Sequence, residues 1–155
     1  MKVQSVMKKE VVTVSQDSTF GEALTLMVER RVGLLPVLDG DRRLVGVLSL
    51  REAMNIVLPD IVDWIQDLDF VEDFGAVERA PLEDSLRRRP IRAVMEPALS
   101  VREDAGLIGT YTYLRQHELS DVAVVDASNH LVGVASWVDV GVGFLRDRLR
   151  SGGDG

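Results

Sequence analysis

The 155-residue chain contains no cysteine, which excludes disulfide bonds, thiolate metal sites and thiol nucleophiles. Aromatic residues make up only 5% of it. No apolar run approaches the roughly 18 residues that a membrane helix needs, and residues 1–4 lack the apolar segment of a signal peptide. From these absences we expect a protein of the reducing cytoplasm with no membrane partner.

Residues typical of catalysis are equally scarce. The chain has two histidines, His117 near the end of a predicted helix and His130 beside a predicted turn. It has no glycine-rich phosphate loop, no His-x-x-x-His pair and no nucleophile elbow. We therefore predict no catalytic residue, no metal site and no enzymatic activity.

Positive charge is also in short supply. The net charge is −7, which disfavours nucleic acid as a partner because phosphate binding needs a basic surface. Residues 59–78 hold seven acids and no lysine or arginine. Five arginines follow: Arg79, Arg87, Arg88, Arg89 and Arg92. Nucleic-acid binding through these arginines is the weakest of the functional alternatives.

The chain does contain an internal repeat. The string LVGVLS at Leu44–Ser49 returns as LVGVAS at Leu131–Ser136, an offset of 87 residues. Further upstream the offset is 88, and Val6-Met7 returns as Val94-Met95. A chain that repeats itself once is expected to be pseudo-symmetric, with its binding sites where the copies face each other.

Each copy has the pattern of strand, helix, strand, turn, strand and helix. Apolar spacing and turn residues predict, in the first copy, strand 11–14, helix 19–31 ended by Gly33, strands 34–38 and 44–49, and helix 50–57. In the second copy they predict strand 99–101, helix 105–116, strands 121–125 and 131–136, and helix 137–149. The expected fold class is α+β, with two β-α-β-β-α repeats packed around a pseudo-two-fold axis.

The expected domain organisation follows from the repeat. Residues 1–58 form the first repeat, 59–90 an acidic helical insert with an arginine-rich linker, 91–150 the second repeat, and 151–155 a disordered tail. Within the insert, apolar spacing over residues 59–74 predicts an amphipathic helix with Trp64 on its apolar face. That helix either packs on its own domain or forms a dimer or partner contact.

These repeats resemble a tandem pair of cystathionine-β-synthase (CBS) domains, the Bateman module. The resemblance rests on Val-Met before the first strand, on LLPVLD at residues 34–39, and on the motif Gly-h-h-Ser-x-x-acid, where h is apolar. The motif occurs at residues 46–52 and again at residues 133–139. The resemblance implies a regulatory module that binds an adenine nucleotide between its repeats and forms a homodimer.

The resemblance also implies two clefts and the residues that line them. The first cleft would use Ser49 and Glu52 at the ribose, and the second cleft Ser136 and Asp139. Backbone groups at the adenine edge would come from Thr13, Val14, Leu34, Leu35 and Pro36 in the first copy, and from Ser100, Val101, Asp121, Val122 and Ala123 in the second. Arg51 would place its guanidinium at a phosphate. No cofactor is required; the expected ligand is AMP, ADP, ATP or another adenosyl compound.

Two alternatives remain open at this stage. Each Ser-x-x-acid string is also a helix-capping box, and Gly46 and Gly133 also suit close packing. The usual Asp favours the second cleft, whereas Arg51 favours the first. The hypothesis is therefore a nucleotide-sensing module that signals to an unidentified protein, and its alternative is an interaction or oligomerisation module with vestigial clefts.

Overall fold

The computed structural model describes residues 1–58 and 80–152. The first repeat begins with a 3-10 helix at Val3–Ser5. Its remaining elements are β1 (Val14–Ser15), α1 (Phe20–Arg30), β2 (Leu34–Leu38), β3 (Leu44–Ser49) and α2 (Leu50–Val57). The second repeat contains α3 (Asp84–Arg87), α4 (Ile91–Val94), β4 (Ser100–Arg102), α5 (Leu107–Gln116), β5 (Asp121–Val125), β6 (Leu131–Ser136) and α6 (Trp137–Ser151).

The strands form two three-stranded sheets with the same topology. In each sheet the first strand runs parallel to the second, and the second pairs with the third as an antiparallel hairpin. A register shift occurs at the same place in both hairpins, beside Leu38 and beside Val125. The predicted α+β class and the tandem β-α-β-β-α arrangement are therefore confirmed.

Several element boundaries differ from the prediction. Helix α1 runs to Arg30, close to the predicted end at residue 31, but Arg31 with its left-handed φ of 52° stops it in place of Gly33. Thr19 caps the start of the helix in a capping box with Glu22. The first strand begins only at Val14 because residues before it have no partner in β2. Helix α6 continues to Ser151, whose hydroxyl donates to the carbonyl oxygen of Asp147 at 3.0 Å.

The hydrophobic cores do not follow the order of the repeats. Val3, from the start of the chain, is fully buried in the second core beside Leu107 and Val140. Ile91 and Val94, from the start of the second repeat, are buried in the first core. We call residues 3–8 and residues 91–96 the lead-in segments of the first and second repeat. Each lead-in segment therefore packs against the sheet and helices of the other repeat.

A third core joins the two sheets. It contains apolar side chains of both hairpins: Leu38, Leu44, Val47, Ala123, Val125 and Leu131. The two hairpin turns also bond to each other, since Leu44 N–H donates to Asn129 at 3.0 Å and Leu131 N–H donates to Arg42 at 3.2 Å. These reciprocal contacts make the expected pseudo-two-fold relation visible in the backbone.

The predicted acidic helix with Trp64 lies outside the described residues, as does residue 153 onward of the tail. Two of the predicted linker arginines form ion pairs with acids outside residues 59–78. Arg92 Nη2 lies 2.8 Å from Asp17 Oδ1, and Arg88 Nη2 lies 3.7 Å from Asp84 Oδ2. Among the helices of the described ranges, none combines the length and hydropathy needed to cross a bilayer.

Candidate functional site

The serine and acid of the second motif lie where β6 passes into α6. Ser136 caps the helix by accepting a hydrogen bond from the N–H of Asp139 at 3.0 Å, and Asp139 Oδ2 accepts one from the N–H of Ser136 at 2.9 Å. Both side chains are half-buried. Within the described residues, the Ser136 hydroxyl proton and Asp139 Oδ1 have no further partner, so the capping box leaves one donor and one acceptor open.

The first motif is arranged differently. Ser49 caps α2 by accepting from the N–H of Glu52 at 3.1 Å, but Glu52 does not return the bond. Glu96 supplies the carboxylate instead: its Oε1 lies 3.0 Å from Ser49 Oγ, and its Oε2 lies 2.7 Å from Ser49 N. The donor groups of Ser49 are therefore already used by a residue of the opposite lead-in segment.

Glu96 and Lys8 occupy equivalent places in the two halves. Glu96 pairs with Val47 through reciprocal backbone hydrogen bonds, and Lys8 pairs with Val134 in the same way. Sequence analysis missed both residues, although the offset of 88 that relates Met7 to Met95 also relates Lys8 to Glu96. The structure thus places opposite charges at matched positions beside the two motifs.

Asp121 adds a second difference between the halves. It lies opposite Ser136 in the β5–β6 ladder, where the first copy has Leu34 opposite Ser49. Burial raises the pKa of the Asp121 carboxyl and the charge of Asp139 raises it further, whereas the charge of Lys8 lowers it. Lys8, Asp121 and Asp139 therefore interact in one electrostatic cluster.

The residues expected at the adenine edge lie on the central strands β2 and β5 and on, or just before, their parallel neighbours β1 and β4. β2 begins at Leu34 but pairs with β1 only from Val37, and β5 begins at Asp121 but pairs with β4 only from Ala123. The strand ends 34–36 and 121–122 therefore extend past their parallel neighbours. Their backbone groups on that side are not used in the ladder, although Pro36 has no N–H to offer.

Half of the ten side chains in this set are buried, so those residues offer only backbone atoms. Five of them belong to the cores or lie completely inside the sheets: Val14, Leu35, Pro36, Val122 and Ala123. Thr13, Ser100 and Val101 are half-buried, and Leu34 packs against the core between the sheets. Arg51 is exposed in the first turn of α2. The structure thus brings Leu34 beside Ser49 and Asp121 beside Ser136.

The glycine of each motif has a packing role. A Cβ at Gly46 would lie 2.5 Å from Met95 Sδ, and a Cβ at Gly133 would lie 2.6 Å from Met7 Sδ. Both contacts are closer than side-chain atoms tolerate. The methionines of the repeated Val-Met pairs therefore need glycine opposite them, in the other repeat.

Two apolar grooves lie beside the helices, and the lining of the first includes Leu50 of the first Ser-x-x-acid motif. One, of about 480 Å³, lies between α1 and α2 and is lined by residues such as Met27, Val28 and Met54. The other, of about 430 Å³, follows α6 along Val142, Leu145 and Leu149. Apart from Arg31 in the first groove and Arg146 and Arg150 in the second, their linings are apolar, so both are better suited to apolar contacts than to a nucleotide.

The histidines make local contacts. His130 Nδ1 lies 3.4 Å from Asp126 Oδ2 within one hairpin turn, and the ring of His117 packs against Tyr113 with centroids 4.4 Å apart. In the part of the chain that the structure describes, histidine and carboxylate side chains do not gather into a group of three that could hold a metal ion.

Comparison with known proteins identifies the repeat. The sequence model of the CBS domain matches residues 3–59. Inosine-5'-monophosphate dehydrogenase of Methanocaldococcus jannaschii is 43% identical over 102 residues, which cover 56% of this chain. The chain spans only 21% of the length of that dehydrogenase. An uncharacterized protein of the same organism, MJ1426, is 24% identical over 90% of this chain and 89% of its own length.

Solved structures share the whole arrangement. CBSX2, crystallised in complex with AMP, superposes with a TM-score of 0.71 at 23% identity, covering 95% of this chain and 98% of that one. The CBS domain of a bacterial CNNM/CorC family Mg²⁺ transporter, in complex with ATP, superposes with a TM-score of 0.66 at 21% identity, covering 94% and 87%. At such identities the likeness establishes a common fold. Residues 3–59 thus match the CBS domain, the second half has the same topology, and the chain as a whole shares the fold of these solved structures.

Proposed function

We propose that this chain is a regulatory module that binds an adenosine-containing nucleotide between its repeats. The observation that carries the proposal is the arrangement of Ser136 and Asp139, which leaves a hydroxyl proton and a carboxylate oxygen without a partner among the described residues, beside the strand end at Asp121 that β4 does not pair with. A capping interaction alone uses only one oxygen of the acid. The other is positioned to accept a hydrogen bond from a ligand.

The chemistry of a ribose fits this arrangement. A carboxylate oxygen accepts charge-assisted hydrogen bonds from a diol, and the Ser136 hydroxyl donates to a ribose or phosphate oxygen. The backbone at residues 121–122 offers amide groups to the edge of an adenine ring. Lys8, beside Val134, brings a positive charge to the same region and favours a ligand that carries phosphate.

The comparisons support this class of ligand. The structurally similar CBSX2 was solved with AMP and the transporter CBS domain with ATP. We assign AMP, ADP, ATP or another adenosyl compound to this chain on that basis. The module would act without a catalytic step, by changing its own geometry or its affinity for a regulated protein partner.

We also propose that the chain forms a homodimer through helix α6. Val138, Val142, Leu145 and Leu149 are exposed on α6 at alternating steps of four and three residues. That spacing forms an apolar stripe able to pack against another helix. Leu149 is 80% exposed and Trp137, at the start of the same helix, is 55% exposed. A second copy of the chain would cover this stripe.

The alternative is an interaction or oligomerisation module whose clefts no longer bind a ligand. The engagement of Ser49 by Glu96 favours it for the first cleft, since the expected ribose contact is already occupied there. The apolar surface of α6 is compatible with both functions. The two functions differ only in whether a nucleotide stabilises the protein.

A thermal-shift experiment separates them. AMP, ADP, ATP and S-adenosylmethionine are each added to the wild-type chain, to Asp139→Ala and to Asp147→Ala, an exposed acid further along the same helix. A ligand at 100 times its Kd stabilises by about 2.7 kcal/mol, or several degrees at this length. We expect a shift in the wild type and Asp147→Ala, and its loss in Asp139→Ala. A melting temperature that no compound changes would favour the interaction module.

A further inference from the structure

The two clefts differ at the residue that faces each motif serine from the opposite lead-in segment. In the first cleft that residue is Glu96, whose two carboxylate oxygens accept from Ser49 Oγ and Ser49 N–H. In the second cleft the matched residue is Lys8, whose backbone pairs with Val134, and among the described residues it is Asp139 that accepts from Ser136 N–H. We infer that Glu96 closes the first cleft to nucleotides, so that the chain binds one nucleotide, in the second cleft.

The hydrogen-bonding capacity of Ser49 supports this inference. A serine hydroxyl has one proton to donate, and in the first cleft that proton goes to Glu96 while the oxygen accepts from Glu52 N–H. A ribose that reached Ser49 would have to displace the carboxylate from two charge-assisted hydrogen bonds. Such a loss weakens binding by about 100-fold or more.

Charge acts in the same direction. Glu96 and Glu52 place two carboxylates at the first motif, and both side chains are half-buried. A nucleotide phosphate approaching them is repelled, because partial burial weakens the screening of charges by water. At the matched position of the second cleft, Lys8 attracts the phosphate. Arg51 is the cation of the first motif, and its exposed side chain lies in α2 rather than on the lead-in segment.

This inference rests on the proposed function and makes it specific. The carboxylate of Glu96 takes the place that the polar groups of a ligand would have at Ser49. The charges of Lys8 and Glu96 then determine which of the two clefts binds the nucleotide. It also resolves the opposing indications of the sequence. The usual Asp at residue 139 outweighs the arginine at residue 51, because the serine beside Arg51 is already bonded.

Titration calorimetry with ATP as the probe tests the inference through the number of sites per chain. We expect one site in the wild type, two in Glu96→Ala, none in Asp139→Ala, and one in the double variant. Lys8→Ala, the matched control at the equivalent position, should keep a single site with weaker affinity. Circular dichroism melting of every variant shows that it is folded at the titration temperature.

Each outcome has a distinct meaning. The closed first cleft would be overturned, with nucleotide binding left intact, by any of three results: two sites in the wild type, one site in folded Glu96→Ala, or ATP binding by Asp139→Ala with the affinity of the wild type. The Asp139→Ala arm keeps Glu96 in place, so it remains decisive if Glu96→Ala does not fold. Absence of ATP binding by every protein, together with flat thermal shifts for the other adenosyl compounds, would overturn the proposed function and the inference with it.

Discussion

Met7 crosses Gly133 so closely that a Cβ at residue 133 would lie 2.6 Å from Met7 Sδ and 2.8 Å from the carbonyl oxygen of Lys8. The equivalent crossing of Met95 over Gly46 is slightly more permissive, since the nearest backbone atom, the carbonyl oxygen of Glu96, would be 3.1 Å away. A methionine tip can move aside, but a backbone carbonyl in a ladder moves much less.

Gly133→Ala should therefore destabilise the protein more than Gly46→Ala. Overpacking of this kind costs about 1–3 kcal/mol, and we place Gly133→Ala in the upper part of that range. Thermal or urea unfolding measures the difference. Gly109→Ala is the matched control: Gly109 lies in the first turn of α5 and a Cβ there would meet nothing within 4 Å, so the change should be neutral or stabilising. Equal losses at residues 46 and 133 would contradict the prediction.

The bond between Ser49 and Glu96 should appear as an energetic coupling without any ligand. A double-mutant cycle of Ser49→Ala and Glu96→Ala is expected to give a coupling of about 0.5–3 kcal/mol. Either substitution alone already breaks the half-buried, charged hydrogen bond between the two side chains, so the second substitution cannot break it again. Urea unfolding of the four proteins provides the values. The matched cycle of Ser136→Ala and Lys8→Ala should give a coupling near zero. A coupling of similar size in both cycles would argue against a special role of Glu96.

The raised pKa of Asp121 predicts a pH-dependent loss of stability. The folded state binds the proton of the Asp121 carboxyl more tightly than the unfolded state, in which the reference pKa is 3.8. Ionisation of Asp121 therefore lowers the free energy of unfolding as the pH rises through the folded-state pKa. Asp121→Asn should consequently be more stable than wild type at pH 7, and its advantage should shrink as pH falls towards 3.8. Thermal unfolding across this interval measures it.

Asp126 provides the control for that experiment. Backbone hydrogen bonds from His130 and Ser128 lower the pKa of Asp126, so its ionised form stabilises the folded state above the unfolded-state pKa. Asp126→Asn should destabilise the protein at pH 7, with a loss that fades as the solution becomes acidic. The same sign of effect in both variants would contradict the assignment of opposite pKa directions.

The apolar stripe on α6 predicts a self-association that a single charge disrupts. Leu145→Glu should shift the protein from dimer to monomer, because the Leu145 side chain is 60% exposed in one chain and would be buried by a partner helix. Light scattering coupled to size exclusion gives the mass. Gln116→Glu adds the same charge at an exposed polar position and should leave the mass unchanged. A monomeric wild-type protein would exclude this dimer.

Much of the fold was predictable because its signals are local. The duplicated LVGV-x-S string, the apolar runs and the turn residues predict both hairpins and the order of elements in each copy. The end of α1 was predicted less well: Gly33 suited a helix stop, but Arg31 adopts the left-handed conformation earlier. The exchange of lead-in segments had no local signal, because burial of Val3 and Ile91 depends on residues about 100 and 70 positions away, respectively.

The sequence by itself determined the repeat, the fold class and the position of both Ser-x-x-acid motifs, since each depends on residue type and short-range spacing. It also distinguished the two motifs, through Asp139 in one and Arg51 in the other, and only the tertiary structure decided that Glu96 bonds to the serine of the first motif. Glu96 reaches Ser49 because each lead-in segment pairs with the other repeat's last strand, and Lys8 takes the matching place beside Val134. Charges far apart in sequence become neighbours by that exchange, so packing adds a difference between the clefts that the motifs alone do not show.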